Sequence, residues 1–110
     1  MAGPSRRLDS CVWCGREVAD VGIGRRRRYC RQSCRQRAYE QRSAVKGTSI
    51  PADAVVLTAD EAAALVDRMF EARCAAEDVE TAVSEGAEQS ELASLCARLV
   101  RLAREAERFR

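Results

Sequence analysis

Histidine is absent from this chain of 110 residues. Its absence removes the side chain that most often carries general acid-base catalysis at neutral pH, and one of the usual ligands of structural zinc. The sequence also contains no glycine-rich phosphate-binding loop and no pair of carboxylates on an evident rigid frame. We therefore expect a protein that is not an enzyme and has no small-molecule substrate. Any metal site must be built without histidine.

Long apolar runs are missing too, and aromatic residues make up only 5% of the chain. No stretch approaches the roughly 20 consecutive apolar residues of a membrane-spanning helix, so we expect no membrane partner. Residues 1–10 carry basic side chains without an apolar segment behind them, unlike a secretory signal peptide. We interpret them as a flexible leader and expect a cytoplasmic protein, whose thiols stay reduced.

Four of the six cysteines form two close pairs, C-x2-C and C-x3-C, separated by fifteen residues: Cys11, Cys14, Cys30 and Cys34. This spacing is typical of a closed, structural site in which four thiolates hold one zinc ion. The same four residues could instead ligate an iron–sulfur cluster. Cys74 and Cys96 lack ligand spacing, and we interpret them as small buried hydrophobic residues, with a redox role or a second metal as the alternative.

Residues 11–47 are predicted to form the metal-binding module. Cys11 to Gly15 should form a knuckle, with Trp13 either shielding the metal or stacking on a base. Residues 16–29 contain glycines and flanking valines that predict a short β-hairpin. Ser33 and Gln36 resemble a capping box, which predicts a helix over residues 34–46. A module this small depends on metal binding for its folding free energy.

Knuckle, hairpin and helix follow one another in the order of a treble clef. The cysteine spacing, with Tyr29 directly before the third cysteine, resembles that of the YacG-type zinc-binding DNA gyrase inhibitors, and residues 28–39 are similar to small actinobacterial zinc-finger proteins. The resemblance implies a zinc-bound treble clef and a gyrase target. We therefore predict a small α+β zinc-bound treble clef followed by an α-helical antiparallel hairpin.

The hairpin should occupy residues 58–110, after a linker over residues 48–57. Thr58 and Glu61 form a capping box that predicts a helix start near Ala59, and Gly86 marks the break between two helices. Each helix has a predicted heptad seam. The first seam comprises Leu65, Met69, Ala72, Ala76, Val79 and Val83, and the second comprises Leu92, Leu95, Leu99, Leu102, Ala106 and Phe109.

A further apolar stripe on the first helix of the hairpin lies outside its seam. It consists of Val66, Phe70 and Cys74. The partner helix cannot cover this stripe, so it needs another surface, either the metal-binding module or a second copy of the chain. A homodimer or a protein partner bound through residues 58–110 is therefore expected.

Charge is divided unevenly along the chain, although the net charge is only +2. Residues 1–50 carry 12 basic and 4 acidic side chains, a balance of +8, whereas residues 51–110 carry 7 and 13, a balance of −6. Clustered arginines on a metal-fixed frame are suited to phosphate oxygens. The predicted nucleic-acid-binding residues are Arg25, Arg26, Arg27, Arg28, Arg31, Arg35, Arg37, Tyr39 and Arg42.

The composition and motifs together favour a zinc-stabilised nucleic-acid-binding regulatory or accessory protein, with DNA favoured over RNA. Its arginine-rich hairpin and helix would contact phosphates. The alternative is an adaptor or inhibitor that docks on a nucleic-acid enzyme such as a topoisomerase or polymerase. The cluster could also serve only solubility, or pair with the acidic half of the chain.

Overall fold

The computed structural model describes residues 9–18 and 27–110. The chain divides into two compact units, Met1–Val56 and Leu57–Arg110, which we call the N-terminal and C-terminal units. The helices in the described residues are α1 (Gln32–Val45), α2 (Ala59–Ser84) and α3 (Gln89–Ala106). None of them combines the length and the apolarity that crossing a bilayer requires.

The predicted treble clef with its β-hairpin is wrong. The described residues contain no β-strand and only one isolated antiparallel bridge, between Ser10 and Glu17. Most of the expected hairpin falls on residues 19–26, outside the described ranges, but its described ends do not pair with each other. Val18 donates its backbone N–H to Asp9 at 2.8 Å, and the carbonyl of Arg28 accepts from Val12 at 2.8 Å. Residues 9–12 therefore take the backbone partners that a hairpin ladder would use.

Helix α1 begins two residues before its predicted start. Its N-cap is Arg31, which has extended backbone angles and makes no side-chain capping bond, so the predicted Ser33 cap is wrong. Ser33 instead lies inside the first turn. The helix ends at Val45, next to the predicted end, where the backbone N–H of Thr48 donates to the Val45 carbonyl at 3.0 Å.

The segment after α1 belongs to the N-terminal unit. The Gln41 side-chain amide on α1 donates to the Ala54 carbonyl at 3.0 Å, which holds residues 48–56 against the helix. Three side chains of α1 are buried, namely Cys34, Ala38 and Val45. The core of this unit is therefore built around cysteines and small apolar residues, with no large aliphatic cluster in its described part.

Helices α2 and α3 pack against each other as an antiparallel hairpin, as predicted. Thr58 accepts from the Glu61 backbone N–H at 3.0 Å, and Glu61 accepts from the Thr58 backbone N–H at 2.9 Å, so the capping box is confirmed. Gly86 has φ +70°, and the following N–H of Ala87 reaches back to the Ala82 carbonyl at 3.0 Å. This is the Schellman arrangement, which ends a helix at a residue with positive φ.

The predicted seam residues of α3 are half-buried, although the last of them, Phe109, lies beyond the end of the helix, and the predicted seam of α2 is covered only in part. Met69 and Val83 are 57% and 60% exposed, whereas Ala75 and Ala82 are 1% and 6% exposed. Two alanines of α2 outside the predicted seam are thus buried, while two larger residues of the predicted seam are exposed. Arg98 pairs with Asp78 at 3.4 Å across the hairpin.

Removing the α2 cap should destabilise the C-terminal unit. We expect Thr58→Ala to lower its free energy of unfolding by about 1 kcal/mol, because the Glu61 backbone N–H loses its acceptor. Urea denaturation followed by circular dichroism measures this loss. The matched control is Thr81→Ala in the body of α2, which should leave stability unchanged or slightly raised. Equal losses in both variants would contradict the assignment of the cap.

The same cap predicts that the stability of the C-terminal unit depends on pH. Hydrogen bonding from the Thr58 backbone N–H, supported by nearby Arg110, holds the pKa of Glu61 below its ordinary value of 4.5. Because the folded-state pKa is depressed, the stabilisation is present above that ordinary value and is lost as the pH falls through the lower folded value. A Glu61→Gln variant should lack this loss of stability at acid pH.

Candidate metal centre and basic groove

The four spaced cysteines converge on one point in the N-terminal unit. Their sulfur atoms all lie within 4.8 Å of one another. The Sγ atoms of Cys14 and Cys30 are 3.6 Å apart, and those of Cys30 and Cys34 are 3.7 Å apart. A tetrahedron with metal–sulfur bonds of about 2.3 Å has edges of about 3.8 Å. These residues, which we call the cysteine cluster, are therefore positioned to hold one metal ion.

Local backbone geometry places the first pair of cysteines. Cys11 donates its N–H to the Arg16 carbonyl at 2.7 Å, and Gly15 donates to the Cys11 carbonyl at 2.9 Å. Gly15 has φ +82°, a backbone conformation that residues with a side chain rarely adopt. The chain consequently turns tightly enough to direct Cys11 and Cys14 to the same side.

The start of α1 places the second pair. Cys30 lies just before the helix and Cys34 in its first turn, so one helix terminus supplies both sulfur atoms. Cys11, Cys14 and Cys34 are buried, and Cys30 is partly exposed. Trp13 and Tyr29 pack against the cluster, and this contact agrees with shielding, the first of the two roles predicted for Trp13.

The thiols of the cluster have unequal acidity. For Cys14, burial raises the pKa, but hydrogen bonds from Arg16 and from neighbouring thiols outweigh it and bring the pKa to about 6. For Cys30, burial and hydrogen bonding to Cys14 and Cys34 raise the pKa to about 12. Burial also raises the pKa of Cys34. The metal-free cluster thus retains protons that a bound cation must displace.

Two arginines direct their charge at the sulfur atoms. Arg31 hydrogen-bonds Cys34, which raises the pKa of the Arg31 guanidinium, and Arg16 hydrogen-bonds Cys14. A divalent ion bound by four thiolates carries a net charge of about −2. Arg16 and Arg31 therefore supply the matching positive charge.

An open groove runs along the exposed face of α1, beside the cluster. We call it the basic groove, and its lining contains four arginines, two tyrosines and two glutamines. Those residues are Arg27, Arg28, Tyr29, Gln32, Arg35, Gln36, Tyr39 and Arg42. No acidic side chain lies among them, although Gln36 donates a hydrogen bond to the neighbouring Glu40 at 3.3 Å, so the charged groups that line the described part of the groove are all positive.

Tyr29 connects the cysteine cluster to this groove. It directly precedes Cys30 of the cluster and packs against the cluster. Its hydroxyl accepts a hydrogen bond from Arg42 Nη1 at 3.1 Å, and Arg35 lies over its ring at 5.8 Å from the centroid. Fixing Cys30 on a metal would therefore also fix the two guanidinium groups that Tyr29 contacts.

The predicted nucleic-acid-binding residues are not all brought together. Arg27, Arg28, Arg35, Tyr39 and Arg42 line the groove, whereas Arg25 and Arg26 lie outside the described residues. Arg31 is engaged with the cysteine cluster. Arg37 is exposed on α1 without lining the groove.

Sequence reasoning missed Tyr29, Gln32 and Gln36 as groove residues. The signal was present, because Gln32 and Gln36 continue the helical face of Arg35 and Tyr39 at spacings of three and four residues. Assigning Gln36 to a cap removed it from that face.

Cys96, interpreted from the sequence as buried, is exposed on α3, and Cys74 is partly exposed on α2.

Comparison of the chain with protein-family models, curated proteins and solved structures found no match in any of the three.

Proposed function

We propose that the chain is a zinc-stabilised, nucleic-acid-binding accessory or regulatory protein, with DNA favoured over RNA. The cysteine cluster would hold one zinc ion, and the basic groove would contact phosphates. Four thiolates in a tetrahedral arrangement suit zinc or an iron–sulfur centre. Zinc is favoured because its structural sites are four-coordinate and closed.

The observation that carries this proposal is the composition of the groove. Four exposed guanidinium groups line one continuous surface, and two of them are positioned by the same tyrosine. The guanidinium group of arginine can donate two parallel hydrogen bonds to phosphate oxygens, and such contacts provide affinity for nucleic acid without sequence preference. These guanidinium groups therefore support binding of a phosphate-bearing polymer as the proposed function.

Salt dependence tests the proposal. If the four groove arginines contact phosphates, log K should fall with log salt at a slope of about −3.6 on a duplex, or about −2.8 on a single strand. Affinity would then drop about 50- to 150-fold between about 50 and about 200 mM salt. Fluorescence anisotropy with a labelled oligonucleotide and the metal-loaded protein gives the slope. An affinity that does not change with salt would contradict phosphate contact.

The adaptor alternative predicts a different result. A basic groove could also receive an acidic patch on a nucleic-acid enzyme, and a partner of that kind would remain bound in a lysate treated with nuclease. Partners tethered through nucleic acid would be lost. Purified protein that binds no oligonucleotide at low salt, but keeps one partner after nuclease treatment, would favour the adaptor.

The C-terminal unit would bind a second copy of the chain or a protein partner. Val66, Met69 and Phe70 are 63%, 57% and 55% exposed on one side of α2. Arg73 lies 5.1 Å from the Phe70 ring centroid and pairs with Glu77 at 2.8 Å, so charged groups border this apolar surface. A two-helix unit of this size buries little surface by itself, which supports a role in association.

A further inference from the structure

We infer that the basic groove takes an unpaired strand of nucleic acid, with a base stacked on Tyr39. This assignment rests on the proposed function and names its substrate class. Three features of α1 carry it: the exposure of Tyr39, the arginines on either side of it, and the amides that share its face.

Tyr39 is 60% exposed, although it lies in the middle of a helix that packs against the core of its unit. The residue that closes the core at this point of the helix is the neighbouring Ala38, which is buried. The ring of Tyr29, by contrast, is half-buried and has Arg35 over it. Tyr39 therefore offers the groove its accessible aromatic surface, and a large exposed ring suits a flat apolar ligand.

Arg35 and Arg42 lie one helical turn before and one turn after Tyr39, on the same face of α1. Both are held by Tyr29, through the ring contact and the 3.1 Å hydrogen bond. An aromatic ring between two fixed guanidinium groups matches a base with a phosphate on each side. From Gln32 to Arg42 this face extends about 15 Å, enough for a short strand.

Gln32 and Gln36 complete the lining at the other end of the same face. Gln36 donates one N–H to Glu40 at 3.3 Å and keeps a second N–H and its carbonyl oxygen, so each carboxamide still offers a donor and an acceptor, which suits the edges of bases that are not paired. In a duplex, the base faces are stacked on one another and the Watson–Crick edges are occupied. A duplex could therefore engage the arginines but would gain nothing from Tyr39.

The test compares three labelled ligands of equal length: an oligo(dT) strand of about twelve nucleotides, an abasic strand, and a duplex. The abasic strand keeps the phosphates and removes the bases. The metal-loaded chain of 110 residues should bind oligo(dT) more tightly than either of the others. Tyr39→Ala should weaken oligo(dT) binding by about tenfold or more and change duplex binding by less than about twofold, while Tyr39→Phe, which keeps the ring, should retain the wild-type affinity.

The outcomes separate the two proposals. If the wild-type chain binds the duplex or the abasic strand as tightly as oligo(dT), or if Tyr39→Ala weakens all ligands equally, the single-strand assignment is overturned while phosphate binding stands. If the wild-type chain binds none of the three at low salt, the proposed function is itself overturned. Metal content and circular dichroism of each variant establish that the fold is retained.

Discussion

Removing the metal from the reduced protein is expected to unfold the N-terminal unit and leave the α2–α3 hairpin helical. The buried residues of the N-terminal core include three cysteines of the cluster, so the metal site and the core are the same place. Helix α1 has 14 residues, a length at which an isolated helix is marginal in water. Structural zinc contributes about 10 to 16 kcal/mol, which exceeds the whole stability of most small domains.

The measurement combines metal analysis with nuclear magnetic resonance before and after a strong chelator, under reducing conditions. Amide signals from residues 9–18 and 27–56 should collapse towards unfolded positions, while those of α2 and α3 remain dispersed. Cys14→Ser and Cys34→Ser should reproduce the collapse without chelator, since each removes one ligand. Cys96→Ser is the matched control, because Cys96 is an exposed cysteine on α3 outside the cluster.

Two results would contradict this prediction. A purified chain that contains no metal and keeps its N-terminal signals in chelator would show that packing alone maintains the unit. Stoichiometric iron with a coloured protein would replace zinc by an iron–sulfur centre, since the same four thiolates suit both. One zinc ion per chain, lost together with the structure, is the expected result.

The parts of the fold that were predictable are those set by nearby residues. Thr58 and Glu61 form their capping box within three residues, and Gly86 ends α2 through its own backbone conformation. The convergence of the four cysteines was predictable for the same reason. Each close pair is separated by only two or three residues, so a local turn brings its two sulfur atoms together. The leucines of α3 recur on one face of the helix, so the sequence alone predicts which face of α3 is covered.

The parts that failed depend on partners far along the chain. Alanines and valines occur around much of α2, so its sequence allowed more than one seam, and the structure buries Ala75 and Ala82 instead of Met69 and Val83. The β-hairpin was inferred from glycines and valines, but Val12 and Asp9 pair with the segments that should have formed it. The groove was missed in part because Tyr29 joins it through a contact with Arg42, thirteen residues away.

Replacing the four groove arginines should abolish nucleic-acid binding. The variant carries Arg27→Gln, Arg28→Gln, Arg35→Gln and Arg42→Gln, which removes the charge but keeps long, helix-compatible side chains. An exposed ion pair contributes up to about 1 kcal/mol, so losing four phosphate contacts should weaken binding by up to about a thousandfold. The salt slope should approach zero, because each lost contact lowers it by about one.

The matched control removes the same number of charges from the C-terminal unit: Arg73→Gln, Arg98→Gln, Arg101→Gln and Arg104→Gln. Both variants change the net charge from +2 to −2, so their overall repulsion from nucleic acid is equal. If the position of the arginines decides binding, the control keeps most of its affinity and its salt slope. If only total charge matters, the two variants lose affinity equally, and the groove is not the binding surface. Equal metal content in both proteins would show that the loss arises at the groove and not at the cysteine cluster beneath it.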